Sequence, residues 1–195
     1  MEDEKDKTID HELKINQLYL AIIARYKEYI EEREHLSIAE LPSLVTPKND
    51  LVMKKATEIK NTFGMYNYTE NFYEASVDAF YFVKKEIEDI AMPLEFWLKP
   101  EETLSFGVGD ILDKNILLCT ILIVLGNPSA KVLVYVKDSS RKVLTYYELE
   151  KKAYLLDFAS GFKKFENRDA LVKSLGEPEE ATCYEFNDKM YIDII

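Results

Sequence analysis

Apolar side chains recur at helical spacing through the first part of the chain and switch to strand-like alternation after Asn127-Pro128. From Glu12 to Glu34 the set Ile15, Leu18, Ile22, Tyr26 and Tyr29/Ile30 predicts a helix that ends in the solvated run Glu31 to Glu34. Pro42 and Pro47 mark a loop. Asn49 or Asp50 can then cap a helix reaching about Phe63, with Val52, Ala56, Ile59 and Phe63 on one face and Gly64 as its stop. A third helix is expected from Glu70 to Ile90. Its aromatics Phe72, Tyr73, Phe80, Tyr81 and Phe82 spread over more than one face, which predicts burial between layers. Pro93 and Pro100 bracket an extended loop that carries the only tryptophan, Trp97. Asp110 can cap the next helix, which closes at Gly126.

Beyond that point Val132, Val134 and Val136 alternate with Leu133 and Tyr135, a strand pattern ending at the turn signal Asp138-Ser139-Ser140. Lys142 to Leu149 and Ala153 to Phe158 read as two more strands joined at Glu150-Lys151-Lys152. Asn167 can cap a short helix through Leu175, stopped by Gly176, and Thr182 to Phe186 and Met190 to Ile194 read as a hairpin around Asn187-Asp188. Helices first and antiparallel strands second predict an α+β fold. The expected organisation is a helical extension over 1–66 packed on a core over 67–195, or one domain over 1–195.

Composition narrows the function classes. With 195 residues, 47% of them hydrophobic, the chain can bury one sizeable core. A net charge of −11 argues against nucleic acid and against anionic membrane surfaces, both of which call for a basic face. The longest apolar run, Ile116 to Leu125, is about ten residues, roughly half a membrane span, and predicts a buried core helix. The charged start MEDEKDKTID does not read as a signal peptide and is expected to fray. Cys119 and Cys183 are far apart with no CxxC partner, so no disulfide framework is expected and a reducing, cytoplasmic setting is the expectation. Gly107-x-Gly109 is too short for a dinucleotide fingerprint; close approach of backbone to a helix is its expected role. No cofactor and no metal are expected.

One segment carries a resemblance. Trp97 to Gly126 reads WLKPEETLSFGVGDILDKNILLCTILIVLG. It resembles the nucleophile-bearing segment of the transglutaminase-like (papain-like cysteine protease) superfamily, in which W-x-x-P-x-E-T-L precedes G-x-G-D-C, an acid two residues on, and a Leu-rich helix. The similarity spans Tyr73 to Gly161 and closes on Tyr154-Leu155-Leu156-Asp157, similar to the superfamily's W-Y-x-L-D strand. It implies a cysteine proteinase fold with a central helix packed on an antiparallel sheet and extra N-terminal helices. It also implies a chemistry: a thiolate favoured by a helix N-terminus, activated by a His on a neighbouring strand that an Asp orients. Carried onto this chain, the cysteine position holds Ile111. The His position falls on Lys142, or on Val143 with a one-residue slip, and the Asp is Asp157. Isoleucine has no nucleophile, and His11 and His35 are the only histidines.

Other residues do not replace the missing pair. Cys119 lies eight residues past Ile111, roughly 12 Å further along the helix and about 80° around it. A buried structural thiol is the expectation there and at Cys183. Asp110 and Asp113 read as helix caps that complement the dipole, with an acidic or metal-binding pair as the rival reading. Glu101-Glu102-Thr103 reads as local capping, Lys142 as an exposed strand lysine, and His11 and His35 as surface or capping groups. Trp97, Tyr66-Asn67-Tyr68 and Tyr146-Tyr147 could line a groove. The expected function is a catalytically inactive domain that binds a protein or peptide through Trp97, Gly109, Asp110, Asp113 and Asp157. The alternatives are a hydrolase with a non-standard catalytic set, or a structural, self-associating protein built on the Phe72 to Phe82 helix or the final strand.

Overall fold

The computed structural model describes residues 16–30, 38–91, 96–138, 140–176 and 181–194. The expectations for Met1 to Asp10, His11, Ile15, Glu31 to Glu34, His35 and Pro93 lie outside them. Helix α1 spans 16–30, as its periodicity predicts, and exposes Leu18, Tyr19, Leu20, Ile22, Tyr26 and Tyr29. It belongs to a separate compact unit; all that follows concerns the unit made of 36–91 and 97–195.

A 3₁₀ helix, Ile38–Leu44, occupies the stretch expected as loop around Pro42. Helix α2, Asp50–Asn61, starts where Asn49 accepts from the Leu51 N–H, and buries Val52, Ala56 and Ile59. Helix α3 spans Tyr68–Glu86, capped by Asn67. It departs from the expected all-round burial: Phe72, Ala75, Ser76, Ala79, Phe80 and Val83 make one buried face, while Tyr73 and Tyr81 are exposed. The aromatic run misleads because only the residues at spacing three and four share a face. It also ends earlier than expected, and Glu88–Asp89 becomes a short strand, β1.

Helix α4, Pro100–Phe106, begins at the proline that closes the expected loop and was not anticipated. Pro100 opens it, Glu101 and Glu102 favour its positive end, and Gly107 closes it at φ 68, in the left-handed region. Strand β2, Val108–Gly109, pairs in parallel with β1. Helix α5, Ile111–Val124, is the buried core helix that its apolar run predicts: every residue from Leu112 to Leu122 is buried.

Among the described residues, six strands then form one sheet in the order β6-β5-β4-β3-β7-β8, every neighbouring pair antiparallel. They are β3 (Lys131–Lys137), β4 (Ser140–Leu149), β5 (Lys152–Asp157), β6 (Gly161–Phe165), β7 (Ala181–Phe186) and β8 (Tyr191–Asp193). The β4–β5 turn puts Glu150 and Lys151 at φ 51 and 64, a two-residue hairpin turn without glycine. Helix α6, Arg168–Lys173, is capped by Asn167.

Alternation divides the sheet between two cores. Val132, Val134, Val143, Tyr147, Tyr154 and Leu156 face α5, α3 and α2, whereas Leu133, Tyr135, Leu144, Tyr146 and Leu155 pack with Leu171 of α6 on the other side. The result is an α+β fold in which α5 packs on one face of the sheet with α2, α3 and α4 around it, and α6 covers the other face. Among the described residues, no helix is long and apolar enough to cross a membrane.

Candidate functional site

The segment with candidate chemistry converges on the N-terminus of α5. Asp110 is its N-cap: one carboxylate oxygen accepts from the N–H of Leu112 at 2.7 Å and of Asp113 at 2.8 Å. Asp113 answers, accepting from the Asp110 N–H at 3.0 Å, so two aspartates complete a reciprocal capping box. The second oxygen of Asp113 accepts from the Leu98 N–H at 2.9 Å and ties the Trp97 segment to the helix. Gly109 lets the backbone approach the helix closely. A Cβ there would lie 3.0 Å from the Asp113 Cβ and 3.2 Å from the Thr103 Cγ2. Trp97 is half-buried against the main core.

Electrostatics follow from this packing. Asp113 is fully buried. Burial first, and then the neighbouring Asp110 charge, push its carboxyl up to about 7, although the Asp110 and Leu98 N–H groups work the other way. Ile111 opens the helix between the two aspartates and is 42% exposed, so the position where the resemblance expects a nucleophile is an apolar side chain at the surface. Ile90, held by a hydrogen bond from its N–H to the Gly109 carbonyl at 3.3 Å, is also exposed.

The strand positions separate on the two faces of the sheet. Lys142 pairs with Tyr135, which belongs to the core on the side away from α5, and Lys142 is exposed there. Val143 is the position that faces α5, and it is buried. Its carbonyl accepts from the Asn115 side-chain N–H₂ at 3.1 Å, and the same group reaches the Ile111 carbonyl at 2.7 Å. The Asn115 side-chain oxygen accepts from the Thr145 hydroxyl at 2.8 Å. Asp157 ends β5 and serves its own hairpin, accepting from the Ala159 N–H at 2.8 Å and the Ser160 hydroxyl at 2.6 Å. Partial burial raises its carboxyl, but these bonds and the Lys163 charge outweigh that and hold it below the usual value.

Sequence reasoning passed over Lys114, Asn115 and Thr145. Lys114 is buried, and its ammonium donates to the Ile87 carbonyl at 3.0 Å and to Asp89 at 2.8 Å. The available signal was the polar triplet Asp113-Lys114-Asn115 inside an otherwise apolar helix. The remaining candidates have structural places. Cys119 is fully buried, which pushes its thiol well up, and burial pushes Cys183 up to about 11. Tyr146 and Tyr147 are both fully buried, on opposite faces of β4, so neither lines a groove. The Tyr66 hydroxyl donates to the Leu125 carbonyl. Glu101 accepts from Thr46, and Glu102 from the Lys99 N–H. Among the described residues, no group of three or more His, Cys, Asp and Glu side chains is placed to hold a metal ion.

No protein-family model and no curated protein matches this sequence. Solved structures do. The EGTA-treated form of LapG from Legionella pneumophila superimposes with a TM-score of 0.52 at 13% identity, over 82% of this chain and 86% of that one. Two further LapG structures, one of them calcium-bound, give TM-scores of 0.44 and 0.43 at 15% and 14% identity. LapG has the transglutaminase-like fold, and at this identity the likeness extends to the fold alone. The chain therefore has the transglutaminase-like fold, as the Trp97 to Gly126 segment leads one to expect.

Proposed function

We propose that this domain keeps the transglutaminase-like fold without its usual thiol chemistry and serves as a protein- or peptide-binding module. The single observation that carries the reading is Ile111, a solvent-facing isoleucine at the N-terminus of the central helix, where that fold's reaction calls for a thiolate. The facing strand supports it. Val143 presents no ionisable group, and Asn115 and Thr145 tie helix to strand with neutral hydrogen bonds. Ile111 and Ile90 add exposed apolar surface of the kind a polypeptide ligand uses, and Trp97 is half-buried in the segment tied to α5 by the Leu98 N–H.

The rival reading, a hydrolase using Asp110, Asp113 or Asp157, rests on the raised Asp113 carboxyl, which would suit proton transfer near neutral pH. Against it stand the full burial of Asp113 and the occupation of both its oxygens by backbone N–H groups. Asp110 and Asp157 are likewise engaged with neighbouring backbone.

Panning a displayed random-peptide library on the full chain tests the proposal. Enriched peptides should lose binding to the Ile111→Asp and Trp97→Ala variants. An enriched set in which no peptide binds Ile111→Asp less well than the unaltered chain would sink the reading.

A further inference from the structure

One edge of the sheet holds a second candidate surface. Strand β6 is an edge strand: it pairs with β5, and among the described residues nothing pairs with its other side. Its sequence is Gly161-Phe162-Lys163-Lys164-Phe165. Beside it lies a cavity of about 330 Å³ lined by Tyr73 of α3, Tyr154 of β5, and Phe162, Lys163 and Lys164. The register places Lys164 beside Tyr154 and Phe162 beside Leu156, so both side chains share the face covered by α3.

The walls of this cavity are ordered. Tyr154 stacks on the fully buried Tyr147, with ring centroids 5.1 Å apart and planes at 12°, and Tyr73 meets Tyr154 edge-on at 5.7 Å. The Phe162 ring is held edge-on against Phe80 at 5.0 Å. Lys164 holds its ammonium 5.3 Å from the centre of the Tyr154 ring. Neither Lys163 nor Lys164 forms a salt bridge among the described residues, although the Lys163 charge acts on Asp157. In a chain of net charge −11, two adjacent exposed lysines on an open strand edge, neither in a salt bridge among the described residues, put positive charge where an extended peptide would pass.

We propose that β6 is a docking edge for an extended acidic peptide, which adds as a further strand and places one apolar or aromatic side chain in the cavity between Tyr73 and Phe162. Strand addition draws affinity from main-chain hydrogen bonds and selectivity from pockets for alternate side chains. Here the cavity takes the side chains of one face, and Lys163 projects to the other, where acidic residues of the same peptide pass. The two lysines select acidic over basic segments and discourage pairing with a second, identical edge. None of these residues belongs to the N-terminus of α5, so the proposal does not depend on what that site binds.

The probe is a fluorescent heptapeptide of alternating Glu and Val around one central Phe, titrated with the full chain and read by anisotropy. The peptide should bind, and affinity should fall on the order of tenfold between low and high salt as the charges are screened. The Lys163→Glu/Lys164→Glu variant, both positions being exposed, should weaken binding by at least about tenfold while leaving the circular dichroism spectrum unchanged. Tyr73→Ala, which removes a cavity wall without touching the strand, should also weaken it. A peptide with Lys in place of Glu, and one with N-methylated backbone on alternate residues, should both bind poorly. Absence of binding, equal binding of the basic or N-methylated peptide, or unchanged affinity in both variants would overturn the proposal. So would a concentration-dependent dimer in sedimentation velocity that the double lysine variant abolishes, because the edge would then belong to a second copy.

Discussion

Replacing Asp113 with Asn should flatten the pH dependence of stability across neutrality. Asp113 has its carboxyl raised from 3.8 to about 7 by burial and by Asp110. The folded state therefore holds a proton that the unfolded chain releases, and the stabilisation is complete below about pH 4 and is lost as pH rises through 7. Integrating the two titrations from pH 5 to pH 8 gives a loss of about 2 to 3 kcal/mol from this one group. The substituted amide cannot ionise. It leaves one of the Leu98 and Asp110 N–H groups facing an amide N–H₂, a fixed cost of about 1 to 2 kcal/mol at every pH. Urea titrations of both proteins at pH 5, 6, 7 and 8 measure the difference, in which the other titrating groups cancel. Asp113→Asn should match the unaltered protein to within about 1 kcal/mol at pH 5 and exceed it by about 2 to 3 kcal/mol at pH 8. Parallel profiles with a constant offset would show that Asp113 is ionised throughout, and that its burial is relieved by contacts other than the two N–H groups.

Three further outcomes follow from the packing. Glu185 is fully buried and accepts from Lys131 at 2.7 Å, Tyr146 at 2.6 Å and Arg168 at 3.0 Å. Burial raises its carboxyl, but these three partners outweigh that and hold it low, so its stabilisation is present above the unfolded pKa and is lost as pH falls through the lowered folded value. Glu185→Gln should cost about 3 kcal/mol by leaving two cations without their partner, a Tm loss of roughly 10 °C by scanning calorimetry. Asn115→Ala and Thr145→Val should each cost about 1 to 3 kcal/mol in urea titrations. The double variant should cost less than their sum, since the two share one hydrogen bond. Both thiols should resist a chromogenic disulfide reagent in the native chain and react only on unfolding, because Cys119 and Cys183 are fully buried.

The sequence was most legible where one residue decides a local outcome. Asn49, Asp110 and Asn167 each cap a helix and mark where α2, α5 and α6 begin, whereas Asn67, the cap of α3, lay outside the helix expected from Glu70. Alternation located β3, β4, β5 and β7 within a few residues because their two faces meet two different cores. It could not find β6, whose Gly161 to Phe165 segment is short, lies at an edge and has no fully buried residue, so burial imposes little pattern. Helix α4 was missed because Pro100 reads equally as a loop boundary and as a first helical residue. The site was legible as a segment and not as a set of partners. That Asn115 would meet Val143 and Thr145 depends on how α5 crosses the sheet, a tertiary fact with no local signature. The face to which Lys142 points depends on strand register, where a single step reverses every side chain.

Turnover is the most direct test of the central claim, that this domain keeps the fold and not its thiol chemistry. The full chain would be assayed for peptide and amide hydrolysis and for amine incorporation into an unfolded protein substrate, with and without prior treatment with iodoacetamide. The account predicts no product above a protein-free control and no effect of alkylation. Product formation that alkylation abolishes would contradict it, because a working thiolate would then exist in a domain whose central helix opens on Ile111.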